Sequence, residues 1–294
     1  MFSRFILATD LSPASFAVVR SVGALQAMGS RHCLLLHCLS MEGAVSAAFS
    51  YNAEAVEQAL AEQASILVEQ GLTVETRTAI GAARREVNRI AAEEEFSLIV
   101  VGSQGRSLIG EKLLGGVAYG ILSHARQAVL VVPVTPQADD APPRARQWDF
   151  QAHVLFATDF SEPADNAFAH VRRLVAEGVR QVTLVHVQDK VKLERHLEAR
   201  LDEFNAVDRD RLEALKRVLV TEAEVEVGIE LSYGVPAQEI TRLIEQRSAH
   251  LVVMGTQGRG FAGELVLGSV SHRVARSAAV PVLLIPADCG ESAH

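Results

Sequence analysis

The residues best suited to chemistry lie between Gly255 and Val270. The spacing is Gly255, two residues, Gly258, nine residues, then Gly268-Ser269 and an apolar, helix-like run. Glycines let a backbone approach an anion closely and take positive φ. A helix opening near Ser269 presents unpaired N–H groups and the positive end of its dipole. The Ser269 hydroxyl adds a donor for a phosphate oxygen. This pattern is a phosphate cradle without a P-loop lysine: no G-x-x-x-x-G-K-[ST] occurs, and no G-x-G-x-x-G follows a first strand. A glycine-shaped turn with Ser269 capping a helix would read the same way in isolation. What separates the two readings is where the loop sits.

Its place follows from a duplication. Phe5-Ile-Leu-Ala-Thr-Asp10-Leu-Ser12 matches Val154-Leu-Phe-Ala-Thr-Asp159-Phe-Ser161, with the aspartates 149 positions apart. Leu36-His37 matches Val185-His186 at the same offset. Ile80-Gly81, Val101-Gly102 and Val132-Pro133 match Tyr233-Gly234, Met254-Gly255 and Ile285-Pro286 at an offset of 153. One four-residue insertion between the second and third strands accounts for the change. So long a period means duplicated domains rather than a solenoid. The expected domains are residues 1–134 and 150–288, with a semi-extended linker over 135–149, rich in proline and charge, and a tail over 289–294.

Each half alternates strand-like and helix-like runs. The first half reads as strands over 4–9, 32–39, 73–80, 98–102 and 128–133, with helices near 13–29, 52–70, 83–95 and 117–126. The second reads as strands over 152–158, 180–187, 224–232, 250–255 and 281–286, with helices near 163–177, 190–220, 235–247 and 269–277. Runs such as Leu98-Ile-Val-Val101 and Leu251-Val-Val-Met254 suit strands buried on both faces. The expected fold is α/β: two tandem, doubly wound, five-stranded parallel-sheet domains. Such sheets bind ligands beyond the carboxyl ends of their strands, where the strand order reverses. Asp10 and Asp159 end the first strands; Gly102 and Gly255 end the fourth.

These residues resemble the universal stress proteins, and the second half resembles their ATP-binding branch. The resemblance rests on Ala157-Thr158-Asp159-Phe-Ser161, Val185-His186-Val187, and Gly255, Gly258, Gly268 and Ser269 in the family's G-x2-G-x9-G-[ST] spacing, and it covers both halves. It implies an adenine nucleotide alpha hydrolase-like fold and an adenine nucleotide, ATP or AMP/ADP, with Mg or Mn as a possible companion. Ala157, Thr158 and Asp159 would line the adenine and ribose pocket, with Met254 at the end of the fourth strand. Val187 would meet the adenine edge through its backbone. Gly255, Gly258, Gly268, Ser269 and Val270 would wrap ribose and phosphates. Gln104 and Gln257 stand where the family often has His. The family's strand order, 3-2-1-4-5, places the last strand at an edge that forms its dimer seam. This implies a pseudo-two-fold pairing of the two copies and a homodimer of the whole chain.

The first half carries a weaker version: Asp10, Cys38, Gly102, Gly105, Gly115 and Gly116. Gly116 stands where Ser269 stands, removing a donor worth about 0.5–1.5 kcal/mol. The expectation is nucleotide mainly in the second half. Arg106 and Arg259 read equally as phosphate contacts or solvated loop residues. Ser12 and Ser161 read as helix N-caps, His37 and His186 as histidines satisfied by backbone, and 189–216 as a solvated amphipathic helix.

The net charge of −8, with only four lysines, argues against nucleic acid as a partner. No apolar run approaches a membrane span. Cys33, Cys38 and Cys289 follow no disulfide or metal spacing, so inert thiols in a reducing compartment, and a cytoplasmic location, are expected. The function expected is a nucleotide-binding stress-response regulator. A slow ATPase or phosphoryl transferase, and a scaffold that binds no nucleotide, are the alternatives. The motif offers no lysine, base or water-positioning residue for efficient phosphoryl transfer.

Overall fold

Five runs in each half become parallel strands, continuously apolar where the strand is buried and mixed in character over 73–80 and 226–234. The computed structural model describes residues 1–40, 52–105, 114–137, 141–189, 201–258 and 267–287. These fall into two units divided between Gln147 and Trp148.

In the first unit the strands are β1 (Arg4–Thr9), β2 (His32–Leu39), β3 (Thr73–Ile80), β4 (Leu98–Gly102) and β5 (Ala128–Val132). The helices are α1 (Pro13–Ser21), α2 (Asn52–Glu69), α3 (Ala83–Glu93) and α4 (Gly116–Leu122). The strand order is β3-β2-β1-β4-β5, all parallel. Ile6 lies between Leu34 and Ile99, all three buried. Such crossovers bury the central strands on both faces, which explains their unbroken apolar sequence.

Two short strands follow, β6 (Val134–Thr135) and β7 (Arg144–Ala145), paired antiparallel. They lie at and within the semi-extended linker expected over 135–149. The β-branched Val134 and Thr135 suit pairing, the Val134 N–H donates to Ser103 Oγ at 3.0 Å, and β7 packs on α1. Trp148 and Phe150 are buried.

The second unit repeats the plan. Its strands are β8 (Val154–Ala157), β9 (Gln181–Asp189), β10 (Glu226–Gly234), β11 (Leu251–Gly255) and β12 (Val282–Ile285), in the order β10-β9-β8-β11-β12. Its helices are α5 (Glu162–Ala176), α6 (Leu201–Glu222), α7 (Pro236–Gln246) and α8 (Ser269–Ser277). The order 3-2-1-4-5 expected for each half is therefore present in both. The direction of connection reverses between the first and fourth strands of each unit, which opens a crevice at their carboxyl ends.

Two local expectations need correction. The helix expected over 13–29 is α-helical only to Ser21. Val22–Met28 then tightens to a 3-10 helix that stops at Gly29, whose φ is +83°. The β-branched Val22 and the flexible Gly23 weaken the α-helix there. Ser12 caps α1 as expected, accepting the Ser15 N–H at 3.3 Å. Ser161 occupies the N-cap position of α5 but makes no side-chain cap bond; its hydroxyl donates to Asp159 instead. The helix expected over 190–220 is described from residue 201 and runs to Glu222, while residues 190–200 lie outside the described residues.

The repeat also inverts one charge pair. In the first unit Arg77 on β3 pairs with Glu94, just past α3. In the second, Glu230 on β10 pairs with Arg247, just past α7.

Candidate functional site

Both crevices begin with the same strained turn. The residue after the aspartate is left-handed without being glycine: Leu11 has φ +61° and Phe160 +57°. Such a residue costs about 1–3 kcal/mol and persists only where its surroundings hold it. Here polar side chains hold it. The Leu11 N–H donates to Thr9 Oγ1 (3.1 Å) and the Ser12 N–H to Asp10 Oδ1 (3.0 Å). In the second unit the Phe160 N–H donates to Thr158 Oγ1 (2.9 Å) and the Ser161 N–H to Asp159 Oδ1 (3.2 Å).

A histidine on the neighbouring strand locks onto the same turn in each unit. His37 Nδ1 lies 2.9 Å from the Thr9 carbonyl and His186 Nδ1 2.7 Å from the Thr158 carbonyl, as expected of backbone-satisfied histidines. Because a carbonyl only accepts, Nδ1 carries the proton in each.

The glycine loop is fastened just as regularly. Gly115 and Gly268 donate their N–H to the Ser103 and Thr256 carbonyls, at 2.9 and 2.7 Å. The second unit adds Ser271, whose hydroxyl donates to the Gly255 carbonyl at 2.8 Å. Ala118 holds the matching place in the first unit. Gly268 is the N-cap of α8, so Ser269 and Val270 open the helix with their N–H groups pointing out of it.

In the second unit these parts enclose a cavity of about 580 Å³. Ala157, Thr158, Asp159, Val187, Met254, Gly255, Gly258, Gly268, Ser269 and Val270, all expected from sequence, line it. Arg259, like Arg106, lies outside the described residues. Of the weaker set, Asp10 meets Gly105 and Gly115 meets Ser103, while Gly102 ends β4 beside Val132 on β5. Cys38 is half-buried and its thiol is pushed up to about 11, by burial first and then by Glu86. Burial likewise pushes the Cys33 thiol well up. Both are protonated and free at neutral pH.

Sequence reading missed one wall. Glu203, Phe204, Val207, Asp208 and Arg211 of α6 face the cavity, joined by Pro236 and Ile240 of α7. Asp208 is the fastening of that wall: it accepts from Gln188 Nε2 at 2.9 Å and sits 3.5 Å from His186 Nε2. The Arg211 guanidinium lies over the Phe160 ring (5.2 Å), which itself contacts His186 (4.7 Å). The spacing of Phe204, Asp208 and Arg211 puts them on one helical stripe, a signal indistinguishable in sequence from an ordinary amphipathic face.

The apolar floor (Val187, Met254, Ile240) suits a flat ring, while Gly268, Ser269 and Val270 offer donors to an anion. Among the described residues no group of three His, Cys, Asp or Glu side chains is arranged to hold a metal. A protein-only Mg or Mn cage does not fit them.

Known proteins share this architecture. The universal stress protein family model matches residues 1–133 and again 152–286. A universal stress protein of Mycolicibacterium smegmatis is 31% identical over 236 residues, covering 79% of this chain and 75% of that protein. Universal stress protein MJ0577 of Methanocaldococcus jannaschii is 28% identical over 150 residues, covering 45% of this chain and 93% of its own. The crystal structure of a universal stress protein from Archaeoglobus fulgidus superposes with a TM-score of 0.72 at 24% identity, covering 96% of both chains. The two family matches, the strand order and the repeated turn agree: the chain belongs to the universal stress protein family and carries two copies of its domain in tandem.

Proposed function

We propose that the second unit binds an adenine nucleotide, ATP or AMP/ADP, and that occupancy regulates a stress response rather than driving turnover. The observation that carries this reading is the cavity at the carboxyl ends of β8, β9 and β11, where apolar side chains face one another and the opening residues of α8 meet them. The base lies against Val187 and Met254, and the phosphates run toward Gly268, Ser269 and Val270. Phosphate at a helix N-terminus is stabilised by free N–H groups and the helix dipole. A divalent cation then enters with the nucleotide's own phosphates.

The test is direct. Nucleotide released from the purified chain is identified by mass spectrometry, and ATP is titrated into nucleotide-free protein. The expected result is saturable binding dominated by one site per chain, with hydrolysis no faster than in a Ser269→Gly variant. Absence of both retained nucleotide and saturable binding overturns the reading. Two equal sites would overturn the assignment to the second unit.

The same reading places the chain in the cytoplasm as a homodimer. No helix among the described residues is long and apolar enough to cross a membrane. Light scattering measures the assembly: twice the chain mass is expected.

A further inference from the structure

The second motif glycine and the strand-end aspartate meet in a way that neither the motif nor the cavity explains. A Cβ added to Gly258 would lie 2.4 Å from Asp159 Oδ2 and 3.4 Å from its Cγ. A Cβ added to Gly105 would lie 2.5 Å from Asp10 Oδ2 and 3.5 Å from its Cγ. The carboxylate therefore rests on the bare Cα of the glycine in both units. Its other oxygen is held by the turn: Asp159 Oδ1 accepts the Ser161 N–H and hydroxyl, and Asp10 Oδ1 accepts the Ser12 N–H. The surroundings differ, with Phe160 in the second unit where the first has Leu11. The carboxylate–glycine contact and the Ser N–H bond to the other carboxylate oxygen are shared.

We propose that Asp159 is a positioning residue that clasps the motif loop to the end of β8, and that Gly258 is glycine because this carboxylate occupies its side-chain space. Asp10 and Gly105 form the same clasp in the first unit. The strained turn then has a purpose. It aims one carboxylate oxygen away from the strand and onto the loop, fixing where Gly255–Gly258 stands above the crevice. The contact with ligand is made by the backbone so presented. This inference rests on the nucleotide reading for its affinity readout only, because the clasp itself is present without any ligand.

The experiment uses the full chain and two readouts. The first is amide hydrogen exchange over 255–258 without nucleotide; the second is ATP affinity. Gly258→Ala and Asp159→Ala are each expected to speed exchange over that loop and to weaken ATP by about tenfold or more. The double variant should be no worse than the poorer single variant, since each substitution removes the same contact. Asp159→Asn, which keeps the shape and the acceptor for Ser161, should restore slow exchange. Asp10→Ala serves as the internal control: faster exchange over 102–105, with ATP affinity at the second unit unchanged and the far-ultraviolet circular dichroism of the chain preserved. Additive exchange effects, or an Asp159→Ala variant that loses ATP while its loop exchange stays slow, overturn the proposal, the latter because the carboxylate would then touch ligand directly. If unmodified protein binds no ATP, the nucleotide reading falls and the exchange data alone decide the clasp.

Discussion

The two crevices differ at their donors and agree in their scaffolding. Strand ends, left-handed turns, histidine–carbonyl bonds and the Asp–Gly contact recur in both units. At the helix that receives the loop, Gly116 and Ala118 stand in the first unit where Ser269 and Ser271 stand in the second. At the neighbouring helix the polar link also changes. In the first unit the buried Gln63 of α2 accepts from Thr9 Oγ1 and donates to Ser15 Oγ. In the second, Asp208 of α6 reaches Gln188 and His186, and Ala164, standing at the place of Ser15, lines the cavity. The turn and the Gly–carbonyl fastening of the loop are thus common to both units, while the donor opening the last helix, the Ser271 fastening and the polar link to the neighbouring helix differ.

The sharpest way to break that comparison is to attack the scaffolding. Phe156 of β8 is fully buried against Phe168, and Phe5 of β1 is fully buried in the first unit. Phe156→Ala and Phe5→Ala should each cost about 3–5 kcal/mol, read from urea unfolding. A large inequality would show that one unit is no longer a maintained scaffold. Next in size is Asp208→Ala, which removes an acceptor from Gln188 and a neighbour from His186. A cost of about 1.5–3 kcal/mol is expected for a hydrogen bond to a charged group. ATP affinity should fall with it, while Gln63→Ala should leave ATP affinity untouched.

The donor itself is worth less. Ser269→Gly should weaken ATP by about 0.5–1.5 kcal/mol, read by calorimetry, and Gly116→Ser should strengthen whatever the first unit holds by a similar amount. Space permits the second change, since a Cβ at Gly116 meets nothing within 4 Å. Equal affinities before and after would end the account of the asymmetry by donors.

The smallest effect concerns acid. His153 Nδ1 donates to the Arg247 carbonyl at 2.8 Å, whereas Arg4, at the matching place in the first unit, donates to the Glu94 carbonyl, also at 2.8 Å. Burial holds the His153 and His170 imidazoles below the ordinary histidine range. The unfolded chain then binds more protons than the folded one as the pH falls through about 6.5, so folded stability declines in that window and below. Arg4 stays charged throughout. Hydrogen exchange at pH 7.5 and 5.5 should therefore show β8 loosening more than β1; equal change in both strands would refute this.

The strands and the duplication were legible because buried parallel strands are written as unbroken apolar runs, and because Asp, Gly and Ser mark their ends. Asp159, Gly255, Gly268 and Ser269 fall where the spacing places them. The α6 wall was not legible. Which stripe of an amphipathic helix faces a crevice depends on how the helix rolls against the sheet, and Phe204, Asp208 and Arg211 carry no mark of it. The Ser161 hydroxyl was misread for a related reason. A cap and a bond to the preceding aspartate draw on the same residue types: after equally left-handed residues, Ser12 caps its helix while Ser161 bonds Asp159. The pairing of β6 with β7 was not legible, because a strand of two residues among prolines leaves no periodic mark.

The inverted pair has a consequence for how such a chain finds its fold. Two similar halves on one polypeptide invite exchange during folding, with a helix of one settling on the sheet of the other. Arg77 with Glu94 and Glu230 with Arg247 make the correct assignments attractive. A trespassing α7 would set Arg247 beside Arg77, and a trespassing α3 would set Glu94 beside Glu230. Each pair adds little to stability when exposed, but the mistaken pairings repel, so the two halves are told apart by sign where they are alike in shape.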